Sequence, residues 1–206
     1  MQRALLRLFI VLALVPLLAS PAAAARKPKG ASTEPGKYTD WKDEIDDLEI
    51  VETFKLSDYS KVVIEPFDTD GVPLPEKDDN TYEPVQQVLK DPAGPFAEGL
   101  TGELEGKIAV SQGSGGKAGG TLIVRNKMLN LDPGSKAARY WAGFGAGAAR
   151  AEVSGEVVDA ATGKVLFRFK QERRSGVGVA GGDYVKLMQR NLRTIGEDMA
   201  LILNAF

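Results

Sequence analysis

The chain of 206 residues contains neither cysteine nor histidine. Without an imidazole base, the usual activation of a serine or cysteine nucleophile is excluded. Without thiolate or imidazole ligands, ordinary structural and catalytic zinc sites are excluded too. No disulfide can form, so packing alone must hold the fold. Lys and Arg number 26 against 28 Asp and Glu, which leaves no cationic excess to displace counterions from nucleic acid. Carboxylate chemistry, Ser–Lys chemistry, hard-cation binding and recognition without chemistry stay open.

The first 25 residues read as a cleavable secretory signal peptide. Arg3 and Arg7 form a positive leading region, an apolar run from Leu8 to Leu18 follows, and Pro21 to Ala25 supply small side chains with Ala22 and Ala24 in an A-x-A arrangement. The run is shorter than the roughly 20 residues that span a bilayer. Cleavage after Ala24 or Ala25 is expected to release a periplasmic product with no transmembrane anchor. The missing cysteine argues against lipid attachment. Removing Arg3 and Arg7, with no acidic residue lost, moves the formal charge from −2 to −4.

Residues 26–57 read as a flexible, partly acidic leader, beginning RKPKG and containing Trp41, Ile45, Leu48 and Val51 at a spacing that suits a short helical turn. Residues 58–206 are expected to form a single domain, the remaining length being enough for one core. Lys61 to Phe67 reads as a strand and Asp68 to Pro84 as a polar loop. Phe96, Leu100, Leu104 and Ile108 recur every four residues, which predicts a helix over 95–109. Gly99, Gly102 and Gly106 would let one side of it lie close to a neighbour. After a glycine-rich loop, 112–120, strands are predicted at 121–131, 149–159 and 164–173, the last two as a hairpin. A long helix from Asp183 to about Asn204 follows. The expected fold class is α+β, a mainly antiparallel sheet in the order strand, helix, three strands, helix, with the helices packed on one face.

The final helix carries Val185, Met188, Leu192, Ile195, Met199, Ile202 and Phe206 at alternating three and four spacing. Such a stripe suits either docking on the chain's own sheet or a seam with a second copy. Self-assembly through this helix is therefore an alternative function.

Four patterns invite chemical readings. Ser114 to Lys117 matches S-x-x-K, but glycines surround it and the motif needs a helix. Gly143, Gly145 and Gly147 resemble a phosphate loop, yet lead into a strand rather than a helix. Asp68, Asp70, Asp78, Asp79 and Glu83 could gather around calcium, although EF-hand spacing is absent. Glu103 with Glu105, or Glu152 with Glu156, could act as a glycosidase pair. A carboxylate- or cation-dependent hydrolase of envelope material is thus the catalytic alternative. No cofactor and no metal site is expected.

Asp132 to Arg150, DPGSKAARYWAGFGAGAAR, concentrates aromatics among glycines and alanines between two strands. Arg139, Tyr140, Trp141 and Phe144 are the expected binding residues, with Gly143, Gly145 and Gly147 shaping their loop. This stretch, the hairpin VSGEVVDAATGKVLFRFKQERRSG and the following GVAGGDYVKLMQRNLRTIGEDMA resemble a bacterial envelope family, domain of unknown function 4410, over roughly Lys61 to Phe206. Arg139, Gly143, Gly145 and Gly147 match its first loop, Asp159 and Gly163 its hairpin turn, and Gly176 and Gly178 its second glycine loop. Many relatives are lipoproteins, a feature this cysteine-free chain lacks. The element order is also similar, more remotely, to the amino-terminal domain of the translocation protein TolB. The resemblance implies a binding or assembly module whose partner is an envelope protein or outer-membrane component.

Overall fold

Between Thr121 and Ser175 the chain alternates apolar and polar residues over three long strands, and these build the centre of the molecule. The computed structural model describes residues 32–134, 147–175 and 183–206. Its strands are β1 Gly36–Trp41, β2 Ile45–Ile50, β3 Lys61–Ile64, β4 Ala109–Gln112, β5 Thr121–Asp132, β6 Ala149–Asp159 and β7 Val165–Ser175. Helices are α1 Tyr82–Leu89, α2 Ala93–Leu104 and α3 Tyr184–Leu203. One sheet runs in the order β1-β2-β7-β6-β5-β3-β4. It is antiparallel except where β3 pairs parallel with β4 and β5. The fold is α+β with a mostly antiparallel sheet.

Inward-facing Val62, Ile64, Leu122, Val124, Val153, Val157, Phe167 and Phe169 meet the helices in one core. Helix α3 rests on β6 and β7 and touches α1 and α2. Its stripe of Met188, Leu192, Ile195, Met199 and Ile202 is fully buried there. The three-four spacing is therefore spent on the chain's own sheet, the first of the two readings, and the stripe is not free to form a seam. Phe206 closes the same core by stacking on Phe54 at 4.4 Å.

Helices α2 and α3 approach closely at Gly99 alone of the three glycines expected to allow it, since a Cβ at Gly102 or Gly106 would meet nothing within 4 Å. A Cβ at Gly99 would lie 2.0 Å from the Arg193 carbonyl oxygen, and one at Gly196 would lie 2.1 Å from that of Phe96. The backbones thus touch where a side chain would separate them.

Three elements depart from the sequence reading. Residues 36–50, expected in a leader with a helical turn, form the β1–β2 hairpin and extend the sheet. Asp40 sits at φ 48°, inside β1. The spacing that suits a helical turn comes instead from a hairpin: Trp41 pairs with Ile45 across the β1–β2 turn, Leu48 follows on the inward face of β2, and Val51 is exposed. Helix α1 was hidden by Pro84, which reads as a loop residue but occupies the first helical turn, where an amide hydrogen is not needed. Finally, α2 stops at Leu104 rather than 109, since Gly106 adopts φ 76° and the chain turns into β4.

The sheet's other face carries cross-strand charges in alternating sign. Lys37 meets Glu49 at 3.3 Å, Glu49 meets Arg168 at 3.3 Å, Arg168 meets Glu156 at 3.8 Å, and Arg125 reaches Glu156 at 3.3 Å and Glu65 at 3.1 Å. One ladder of ion pairs thereby crosses from β1 to the end of β3. Opposite charges directly across a strand pair stabilise it modestly.

Candidate functional site

Strands β5, β6 and β7 all reach one end of the sheet. Asp132 pairs with Arg150, and Ala149 pairs with Ser175. Residues 135–146 and 176–182 therefore join the described chain at this same end. Gly134 and Gly147 form the base of the first segment, at φ 72° and 68°. Gly134 donates its amide to the Asp132 carboxylate at 2.7 Å, an Asx turn that bends the chain out of β5. A Cβ at Gly134 would lie 2.2 Å from the Gly147 carbonyl oxygen, so the two sides of the base touch backbone to backbone.

The frame around this end is stitched to α3. Asn191, buried, donates Nδ2 to the Ala149 carbonyl at 2.9 Å, and the Ser175 hydroxyl donates to the Leu187 carbonyl at 3.0 Å. Asp183 caps the helix by accepting from the Lys186 amide at 3.2 Å. Glu172 accepts from Arg174 at 2.6 Å and faces Arg150 at 3.7 Å, so two guanidiniums share one carboxylate beside the loop base.

Of the expected binding residues, Gly147 belongs to this base. Arg139, Tyr140, Trp141, Gly143, Phe144 and Gly145 lie outside the described residues.

The chemical candidates are distributed over ordinary structural contacts. Ser114 to Lys117 is non-helical. Asp68 pairs with Lys127 at 2.6 Å, which holds its carboxyl below the usual range, and Asp79 accepts from the Thr81 hydroxyl and amide with the same effect. Among the described residues no three acidic side chains gather where a metal ion could sit. Glu152 is paired with Lys170 at 2.5 Å, and Glu156 with Arg125 and Arg168.

One polar cluster escaped the sequence reading. Asp198, on the buried side of α3, accepts from Arg173 Nε at 2.7 Å, from Arg173 Nη2 at 2.5 Å and from Gln171 Nε2 at 2.9 Å. Burial pushes its carboxyl above the ordinary range, and the guanidinium opposes that shift. Arg173 and Gln171 also donate to the Glu44 carbonyl, which ties the β1–β2 turn to α3. The signal was present in the sequence. Gln171 continues the inward alternation of Phe167 and Phe169, and Asp198 interrupts the stripe between Ile195 and Met199. Polar residues at core positions imply a buried partner.

No curated protein matches the chain. Among solved structures, it is similar to the PelC dodecamer from Paraburkholderia phytofirmans at 10% identity and TM-score 0.41, covering 73% of this chain and 96% of that one. A hypothetical protein from Chlamydia trachomatis matches at 12% identity and TM-score 0.40, covering 71% and 99%. A lipoprotein from Neisseria meningitidis matches at 11% identity and TM-score 0.34, covering 69% and 99%. The expected likeness to TolB is not supported by these matches. The model of the family described as Domain of unknown function (DUF4410) matches residues 62–181, from β3 through the second glycine-rich segment. That is more than half of the chain, and the protein belongs to this family.

Proposed function

We propose that this protein is exported to the periplasm and binds or organises an envelope partner, a protein or an outer-membrane component, without acting on it as an enzyme. The partner is met at the loop end of the sheet by Arg139, Tyr140, Trp141 and Phe144. One observation carries the reading. Gly134 and Gly147 close the loop base through a backbone contact that only glycine at 134 permits, directly below the segment in which the sequence concentrates its arginine and aromatics. Binding residues are commonly carried on loops that a folded scaffold positions. The glycine-rich segment 176–182 leaves the described chain at this same end of the sheet, after Ser175.

The test is site-specific photocrosslinking in living cells with the reactive group at Tyr140. A defined crosslinked partner is expected, lost in Trp141→Ala while the purified variant melts like the parent. An equal loss of thermal stability would place Trp141 in the core and overturn the reading. Cell fractionation with amino-terminal sequencing checks export, and a mature terminus at Ala25 or Arg26 is expected.

A further inference from the structure

Strand β4 ends the sheet, and among the described residues nothing pairs with its outer side. Ala109 and Gly113 donate their amides inward, to the carbonyls of Ser60 and Ile64. In a parallel ladder the alternate residues then point their amide and carbonyl outward. Those residues are Val110 and Gln112. Beside this edge, an open groove of about 670 Å³ separates β4 from α2. Glu98, Thr101, Gly102 and Glu105 line its helix side, Val110 and Gln112 line its strand side, and no lysine or arginine does. Glu98 is paired with Arg193 outside the groove, while Glu105 is exposed. Gly102 keeps the groove open. A Cβ there would meet nothing within 4 Å, so close packing does not account for a glycine in mid-helix.

We propose that this groove takes residues 26–31 of a second copy of the chain, added antiparallel to β4. Arg26, Lys27, Pro28, Lys29 and Gly30 place cations at positions 27 and 29, two apart. Paired against Gln112 and Val110, Lys27 and Lys29 present their amides to β4 and send their side chains to the α2 side, toward Glu98, nearer the start of the helix, and Glu105 at its end respectively. Pro28 then faces away from the ladder, where its missing amide hydrogen is no loss. Main-chain bonds would supply affinity and alternate side chains specificity, as in other strand-addition sites.

The segment must come from another copy. Ser32 is held at the opposite edge, its carbonyl accepting from the Trp41 indole at 2.9 Å. From β1 to β4 the sheet is about 29 Å wide, given the usual strand spacing. Residues 26–31 span about 20 Å when fully extended. Such a contact joins different surfaces of the two copies and closes into a ring or continues as a filament.

Sedimentation velocity on the purified, processed protein tests this. Concentration-dependent species larger than a monomer are expected. Two variants should weaken their association by about tenfold or more: Val110→Pro, which removes an outward donor while sparing the bonds to β3, and Gly102→Leu, which fills the groove. Thermal melts establish that each variant is folded, and excess synthetic peptide RKPKGAST should dissociate the parent if Val110→Pro fails to fold. Deleting residues 26–31 should give a monomer. A parent that stays monomeric at every concentration overturns the proposal. So does an assembly that survives the deletion or resists both groove variants and the peptide. The loop-end crosslink from Tyr140 is independent of all these results.

Discussion

Gly134 lies against Gly147 so closely that the base of the loop has no room for even a methyl group. The closure also sets both residues in left-handed backbone, at φ 72° and 68°. Gly134→Ala should therefore combine conformational strain with a backbone clash, for a loss of about 3 kcal/mol. Gly71→Ala, at φ 82° with nothing near its Cβ, isolates the conformational part and should cost about 1 kcal/mol. Urea denaturation of the two variants measures the difference.

The Asp198–Arg173 pair makes opposite predictions for single and double replacement. Asp198→Ala leaves the Arg173 guanidinium, only a quarter exposed, with the Glu44 carboxylate and carbonyl as its partners, and should lower stability by about 2 kcal/mol. Replacing Asp198 by Leu and Arg173 by Met together should recover most of that loss, because two buried charges no longer need each other. A double variant as unstable as the single one would show that the Glu44 link, rather than the pair, matters.

Asp159 predicts an acid-sensitive component. Its carboxylate accepts from the Thr162 amide at 2.7 Å, from the Thr162 hydroxyl at 2.9 Å and from the Tyr59 hydroxyl at 2.9 Å, bonds that hold its carboxyl below the usual range. A folded-state pKa below the unfolded value stabilises fully above the unfolded value, about pH 4, and that stability is lost as pH falls through the folded value. Asp159→Asn should melt lower than the parent at neutral pH. The gap should narrow as both are titrated below pH 4 or so.

The ion-pair ladder predicts a small, salt-dependent effect. Arg168 contacts both Glu49 and Glu156, yet its side chain is half exposed. Arg168→Ala should lose less than about 1 kcal/mol at low ionic strength and less still in about 1 M salt, where charges are screened within a few ångströms. A salt-independent loss would point to packing of the arginine stem instead.

Legibility followed the length of the elements. Strand β6 spans 149–159 as its alternation predicts, and α3 lies within a residue of the expected ends because Asp183 caps it. Short or irregular elements were opaque. Strand β4 has four residues, too few for a period, and the left-handed Asp40 scrambles the phase of β1. At the candidate site, composition alone marked the arginine, aromatics and glycines of 139–147. It did not reveal that Gly134, outside that list, closes the loop against Gly147.

The sequence by itself determined what is local or cumulative: the absence of imidazole and thiol chemistry, the α+β class, the hairpin of β6 and β7, and the family. Tertiary structure decided which surfaces meet. It assigned the α3 stripe to the sheet rather than to a second copy, brought Asp198 to Arg173, drew residues 36–50 into the sheet and left the β4 edge open beside α2. Such choices depend on contacts between residues far apart in the chain. A spacing pattern records which side of an element is apolar, but not which neighbour will cover it.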